Sequence, residues 1–503
     1  MNTYIAAPGV PYKSSKNAGL KYFAVCFLFA VVLTAGAVFN DSAYLGRIPY
    51  QIMMFALCSG PFFLGGNNPR HRLLAIFMAS YYLIFGMSNF FDLILGLNNQ
   101  FMLGTDQHIQ AADSGMSWSD WVVVIGGLAF LVGYFFISRA NGNKTSKVFV
   151  RDWKPGVILV IGLLCWAFGL TFSIAYDMVV TPMYIPTEVL GIPLGIASNF
   201  RFFSPLGSLM LIYLIARGYK TKQVWPLLIL IILTEYVLGF IDNSKEISYR
   251  IPVLLMLGLY YLRGSFNKKI LLITFLSFIP YLMLFNAYRM DVIMGAQNQT
   301  QVQALHNFDK NAAVVANSVS GEKDAAANSL KSLKDRIDGK VYVDIIVDGT
   351  DSGRVPFLSG ETLSLFFKTF VPRMFWPDKP ESSTGRMFNL AFHLSESKFT
   401  YVPTTMLGDL YWNFGMPGVV VGMFIIGMTI AYLASTFSVG LAITLPRFLV
   451  LLLATYLLAI RFEGNIALQY STFLRLVFLI WLMDAVIGFF GLRQRLNPSR
   501  AGD

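Results

Sequence analysis

"WVVVIGGLAFLVGYFFISRANGNKTSKVFVR" runs from Trp121 to Arg151. No charge occurs as far as Ser138, and then Arg139, Lys144, Lys147 and Arg151 follow within one short stretch. An uncharged run close to the ~20 residues that cross a bilayer, ending in a basic flank, reads as a transmembrane helix and its cytoplasmic border.

The same reading extends over the chain. It has 503 residues, 55% hydrophobic and only 13% charged, whereas soluble domains carry roughly 25% charged residues. Mean hydropathy is +0.57. Apolar stretches lie near 20–39, 48–65, 73–97, 121–138, 157–176, 202–216, 224–241, 248–262, 270–286, 417–436, 446–460 and 471–490. The fold class expected is therefore all-α: a polytopic helical integral membrane protein of about twelve spans.

Loop charges orient those spans. Lys13, Lys16 and Lys21, Arg70 and Arg72, the segment Arg139–Lys154, Arg217–Lys222, Arg263–Lys269, Arg447 and Arg493–Arg500 carry twenty basic residues against Asp152 and Asp503. The short loops between them hold only Arg47, Arg201, Lys245, Arg250 and Arg461. This alternation is the positive-inside pattern. It puts both termini in the cytoplasm and explains the net charge of +11 without nucleic-acid binding. Three parts follow: a membrane bundle over 1–286 with about nine spans, a large outer loop over 287–416, and a bundle over 417–503 with about three. Ala35-Gly36-Ala37 resembles a signal-peptidase site, but the long apolar run and the spans after it favour an uncleaved first helix. Cys26, Cys58 and Cys165 fall in apolar runs and read as small hydrophobes, with no disulfide and no metal expected. The chain shows no internal repeat, which weighs against transporter folds.

The outer loop carries most of the polar chemistry. Residues 301–337 have helical character, "KVYVDIIV" (Lys340–Val347) reads as a short strand, and "GTDSG" as a turn. Leu363, Phe366, Phe367 and Phe370 follow at helical spacing. Ser359 is placed to cap that helix, with Glu361 at its positive end. An amphipathic helix beside spans suits the membrane interface, the alternative being a helix packed under the loop. "FVPRMFWPDKPESSTG" (Phe370–Gly385) comes next. Its three prolines exclude regular helix, and Arg373, Lys379 and Arg386 project from a stiff frame. They serve either as solvated charges on an aromatic anchor or as a preorganised anion site.

"VPRMFWPDKP", Gly385–Arg386 and "PTTMLGDLYWNFGMPG" (Pro403–Gly418) resemble the Wzy-type polymerases of O-antigen and exopolysaccharide repeat units. The likeness covers about fifty residues, plus the general plan of many spans and one large outer loop. It implies a GT-C-like, inverting, metal-independent glycosyltransferase without a cofactor, in a bacterial inner membrane. Oligosaccharides linked to undecaprenyl pyrophosphate would be joined at the outer face, beside a chain-length determinant and a flippase. Asp409 stands where that family often has Glu. Trp376, Tyr411, Trp412 and Asn413 are its candidate glycan contacts.

Such chemistry needs cations at the leaving pyrophosphate and a base at the acceptor hydroxyl. Arg250, Arg289, Arg461 and Arg475 lie at the outer edge against the charge rule, and Arg201 is a further candidate. Each alternatively pairs with a nearby acid: Arg289 with Asp291, Arg461 with Glu463, Arg475 with Asp484. His393, Asp409 and Glu463 are the candidate bases, and Asp409 alternatively caps a helix or orients an arginine. Asp92 and Glu235 read as partners of polar neighbours. A ligase with a lipid A core acceptor, a lipid-linked oligosaccharide flippase or other transporter, and a scaffold are the competing functions. Reporters fused within 300–350 should read periplasmic, and those at 144, 220, 265 and the C-terminus cytoplasmic; a cytoplasmic large loop removes the mechanism.

Overall fold

The computed structural model describes residues 18–39, 45–64, 69–95, 116–141, 148–179, 188–193, 197, 199–219, 221–241, 245–263, scattered positions within 268–285, 338–371, 376, 379, 384–395, 401–438, 443–462 and 464–494. The helices are α1 (Ala18–Phe39), α2 (Ile48–Leu64), α3 (Arg72–Phe85), α4 (Met87–Leu95), α5 (Trp118–Asn141), α6 (Pro155–Val179), α7 (Phe203–Ala216), α8 (Thr221–Ile241) and α9 (Lys245–Arg263). They continue with α10 (Gly339–Asp351), α11 (Glu361–Lys368), α12 (Thr384–Phe392), α13 (Met406–Phe437), α14 (Leu445–Ala454, extended by a π-helical turn Thr455–Ile460) and α15 (Ile466–Phe489). Four two-residue strands form two small antiparallel pairs, β1 (Asp152–Trp153) with β4 (Arg493–Gln494) and β2 (Glu188–Val189) with β3 (Ile192–Pro193).

Among the described residues, α1, α5, α6, α8, α13 and α15 are long and apolar enough to cross a membrane. The chain is a helical membrane protein. The shorter apolar helices lie deeper. Every residue of α7 from Ser204 to Ile215 is buried, as is every residue of α14. A helix apolar all round belongs inside a bundle, and α7 at ~1.5 Å per residue is shorter than the ~30 Å hydrocarbon layer. The long helices turn Phe23, Phe27, Val132, Phe136, Leu164 and Phe478 outward.

Small residues set the closest crossings. A Cβ on Gly133 of α5 would strike the Phe424 carbonyl of α13, and one on Gly427 would strike the Phe130 carbonyl. Gly169 and Gly207 bring α6 against α7 in the same way. Helices in lipid gain little from apolar burial, so such backbone approach carries their association.

The segments grouped by positive charge meet at one end. Asp152 accepts from Tyr213 Oη at 2.6 Å and from the Leu445 amide at 2.8 Å. Arg447 Nε donates to the Val148 carbonyl at 2.9 Å, Trp153 Nε1 to Asp484 at 2.9 Å, and Arg493 pairs with Asp484 at 2.6 Å. Burial pushes the Asp152 carboxyl above its usual range, and the Tyr213 hydroxyl and the Leu445 amide oppose the shift.

Two local expectations are corrected. Lys340–Val347 lies within helix α10, with Asp338 as its cap accepting from the Val341 amide at 3.3 Å. Lys340, Val343, Ile346, Val347 and Thr350 form its buried face, so packing overrides the β-branched propensity. Ser359 does not cap α11: the cap position is Gly360 at φ 93°, with no side-chain bond. The helical stretch expected over 301–337 lies outside the described residues.

Gly133→Val should lower the melting temperature of purified protein in detergent, in line with roughly 1–3 kcal/mol of overpacking. Gly156→Ala, where no atom lies within 4 Å of the added Cβ, should not. Equal melting curves for the two variants would contradict the role given to the α5–α13 crossing.

Candidate functional site

The stretch Pro403–Gly418 builds a broken helix. Thr405 caps α13, its Oγ1 accepting from the Gly408 amide at 3.1 Å. The helix then breaks at Phe414 and at Gly415, where φ is 62°, and resumes at Pro417. Gly is suited to positive φ and Pro to a helix start. The break frees two carbonyls. The Leu358 amide donates to Trp412 O at 2.9 Å and the Ser359 amide to Asn413 O at 3.1 Å. Residues 355–360 are thereby tied to the mouth of a span.

Asp409 lies on the upper piece of α13 and is fully buried. Its Oδ1 accepts from Thr362 Oγ1 at 2.7 Å and its Oδ2 from Asn465 Nδ2 at 3.2 Å. Asn413 Nδ2 donates to Thr362 Oγ1 at 2.5 Å and to Asp409 O at 2.6 Å. Asn465 also caps α15. One carboxylate thus links α11, α13 and α15. It turns Thr362 and Leu365 of α11 inward and leaves Phe367 74% and Phe370 43% exposed, as a helix at the bilayer surface requires.

The aromatic candidates divide. Trp412 is buried against Phe388 and Phe392 of α12, and its Nε1 donates to the Pro356 carbonyl at 3.3 Å. Asn413 is buried too. Tyr411 is buried as well: its Oη accepts from Trp118 Nε1 at 3.1 Å and donates to the Asp351 carboxylate at 2.9 Å. Trp376 and Arg386 are half-buried, and Lys379 Nζ donates to Val371 O at 3.0 Å. His393 follows α12 at φ 52° and is exposed. Arg289, Arg373 and Glu463 lie outside the described residues.

Arg250, Arg461 and Arg475 gather around α7, α8, α9 and α15. Glu235 is fully buried, takes Ser204 Oγ on one oxygen at 2.7 Å and Arg250 on the other at 2.6 Å. Arg250 Nε is buried and has no partner among the described residues. It lines a closed cleft of about 10 Å³ walled by Phe202, Leu254, Tyr456 and Leu476. Arg461 pairs with Glu246 at 3.1 Å, and Tyr456 Oη bonds the same carboxylate. Arg475 is held by Asn199 Oδ1 at 2.9 Å and Thr472 Oγ1 at 3.1 Å, not by Asp484, which serves Arg493 at the other end. Arg201 stacks over Tyr176 at 4.3 Å.

Sequence reasoning missed Glu246 and Tyr456. Glu246 stands four residues before Arg250 on α9, a helical neighbour that was visible. It also missed a buried Lys340, 3.0 Å from Asp120 and 2.7 Å from Asp344, because a strand reading hides the i, i+4 pair. Burial opposes the Lys340 charge, but Asp344 and Asp120 outweigh it and hold the ammonium above the usual lysine range. Among the described residues no group of three or more His, Cys, Asp or Glu is placed to hold a metal.

Residues 175–438, slightly more than half of the chain, match a family described as Domain of unknown function (DUF8712). The chain belongs to this family. No curated protein and no solved structure matches it. The DUF8712 segment begins near the end of α6 and closes with α13, so it holds Glu235, Arg250, Lys340 and Asp409 and stops short of Arg461 and Arg475.

Thr362→Val removes the donor to a buried carboxylate. It should lower stability by about 1–3 kcal/mol, read by thermal melting, whereas His393→Ala at an exposed position should leave the melting temperature unchanged.

Proposed function

We propose that the chain polymerises polyprenyl-pyrophosphate-linked oligosaccharide units at the outer face of a bacterial inner membrane, through a GT-C-like bundle of about twelve spans with both termini in the cytoplasm. The observation that carries this reading is Arg250: Glu235 fixes one nitrogen, while Nε is buried, unpartnered among the described residues, and lines a cleft. A guanidinium N–H kept dry and unspent is a donor waiting for an anion. Arg461 sits beside it on an exposed ion pair with Glu246. The motif resemblance supplies the chemistry and α11 a surface at which a lipid headgroup emerges.

In the proposed reaction an acceptor sugar hydroxyl attacks the anomeric carbon of the growing glycan. The C–O bond to the pyrophosphate breaks, and the charge left on the polyprenyl pyrophosphate is taken by Arg250 and Arg461. The ~10 Å³ cleft holds no more than one water, so its walls must move to admit the leaving group. Of the two described base candidates, Asp409 has both oxygens bonded in the core and His393 is exposed. The proposal therefore gives the proton to His393 and a positioning role to Asp409. Arg373 and Lys379 assist at the headgroup, with Lys379 bracing the loop through Val371.

Arg250→Ala should abolish polymerisation of a purified lipid-linked repeat while the protein still inserts. Arg250→Lys should restore only part, because the bidentate fork is lost. Loss of one charge-assisted contact at ~1.5–3 kcal/mol corresponds to about ten- to a hundredfold in rate. In cells, loss of long chains with one repeat retained marks a polymerase, whereas complete loss of glycan-capped lipid marks a ligase. Full-length glycan in the alanine variant would remove Arg250 from the site.

A further inference from the structure

A second cavity lies away from the arginines, at the end where the basic segments gather. It measures about 510 Å³ and is enclosed by α1, α2, α3 and α5. Met53 and Leu57 of α2, Leu74 of α3, and Leu128, Leu131 and Phe135 of α5 supply an apolar wall. Its surroundings face lipid: Leu128 is 48% and Phe135 51% exposed, and Phe23 and Phe27 of α1 are more so.

One rim of this cavity is cationic. Leu131, Phe135 and Arg139 follow at four-residue spacing on α5, so Arg139 continues the lining stripe one turn beyond the apolar wall. Lys21 adjoins Tyr22, and Arg70 adjoins His71, both of which line the cavity. Lys21 and Arg139 are exposed. His71 Nδ1 lies 3.2 Å from Tyr134 Oη. Burial first and Arg70 second lower the His71 pKa, so at neutral pH it offers a hydrogen bond and the charge comes from Lys21, Arg70 and Arg139.

We propose that this cavity binds an anionic phospholipid, an acyl chain lying between α2 and α5 and the phosphate meeting Lys21, Arg70 and Arg139. The volume is that of a pocket for a drug-sized molecule, room for one acyl chain with the rest of the lipid outside. An apolar wall open to the bilayer selects hydrocarbon, and the basic rim selects a negative headgroup. Neither feature depends on the activity proposed above, and the ring of cations lies at the opposite end from Arg250. The occupant is a resident lipid that fills the space between α1 and α5, while α1 is held to α2 by the Tyr22 hydroxyl on Ala56 O.

Native mass spectrometry and thermal melting of the full chain in detergent test this with two probes of equal chain length, phosphatidylglycerol and phosphatidylcholine. Wild type should bind phosphatidylglycerol in preference and melt at a higher temperature with it. Lys21→Gln with Arg139→Gln should raise the phosphatidylglycerol Kd about thirtyfold, two basic contacts being lost, and leave phosphatidylcholine binding unchanged. Gly60→Phe fills the cavity, since the nearest atom to an added Cβ is Tyr22 Oη at 3.6 Å; it should remove binding of both lipids. Equal affinity of wild type for the two lipids, or undiminished phosphatidylglycerol binding in the charge variant, overturns the proposal. The charge variant keeps the test decisive if Gly60→Phe does not fold.

Discussion

Two backbone hydrogen bonds, from the amides of Leu358 and Ser359 to the carbonyls of Trp412 and Asn413, dock residues 355–360 on the broken helix α13. They follow from a constraint. A helix broken at the membrane surface exposes carbonyls that must find donors, because no lipid supplies them. The break at Phe414–Gly415 sits where an extended chain can provide two. That docking fixes Gly360 and so the start of α11; α11 brings Thr362 to Asp409; Asp409 reaches Asn465 and the turn that carries Arg461. Gln469 Nε2 closes this chain by donating to the Arg461 carbonyl. The position of a surface arginine thus traces back to a kink about fifty residues earlier in sequence.

Much of the membrane plan was legible because lipid imposes coarse rules. Apolar runs marked the helices, and the charge alternation grouped Arg139–Lys154, Arg217, Arg447 and Arg493, which the structure brings together through Asp152 and Asp484. Local form was less legible. Lys340–Val347 has the residues of a strand, and only its neighbours decide for helix: Ile84 and Thr405 crowd Gly339, Ser88 bonds Asp338, and Asp120 meets Lys340. None of these partners is near in sequence. Arg475 and Asp484 were paired by proximity in the chain, yet nine residues of helix separate them by ~13 Å along the axis. Each then finds a partner at its own membrane edge.

The motif residues show why a site is harder to read than a fold. In "GDLYWNFGMPG" the structure assigns a packing or backbone task to nearly every position: Gly408 lies under Ile346, Trp412 fills the space against α12, Asn413 bonds Thr362, Gly415 turns, Pro417 restarts the helix and Gly418 passes beneath the Leu410 carbonyl. The stretch is therefore a device for breaking a helix in a defined direction. Tyr411, itself buried, bonds Asp351 and Trp118, while Phe414 stands 49% exposed at the break. Chemistry must be sought in what the break positions, not in the residues that make it.

The arginine cluster holds two ion pairs with opposite characters, of which the break bears on Arg461 alone. Glu235 and Arg250 have side chains 0% and 15% exposed, and Glu235 is further held by Ser204. Parting them strands a buried charge, at a cost of several kcal/mol. Glu246 and Arg461 are 43% and 39% exposed. Such a pair contributes about 0–1 kcal/mol and yields readily to a competing anion. The buried pair is thus a fixed fixture that aims Arg250 Nε, and the exposed pair is exchangeable. Under the proposed function the pyrophosphate leaves the first pair in place and competes only for the second. Rigidity on one side and cheap exchange on the other suit the pyrophosphate site proposed above.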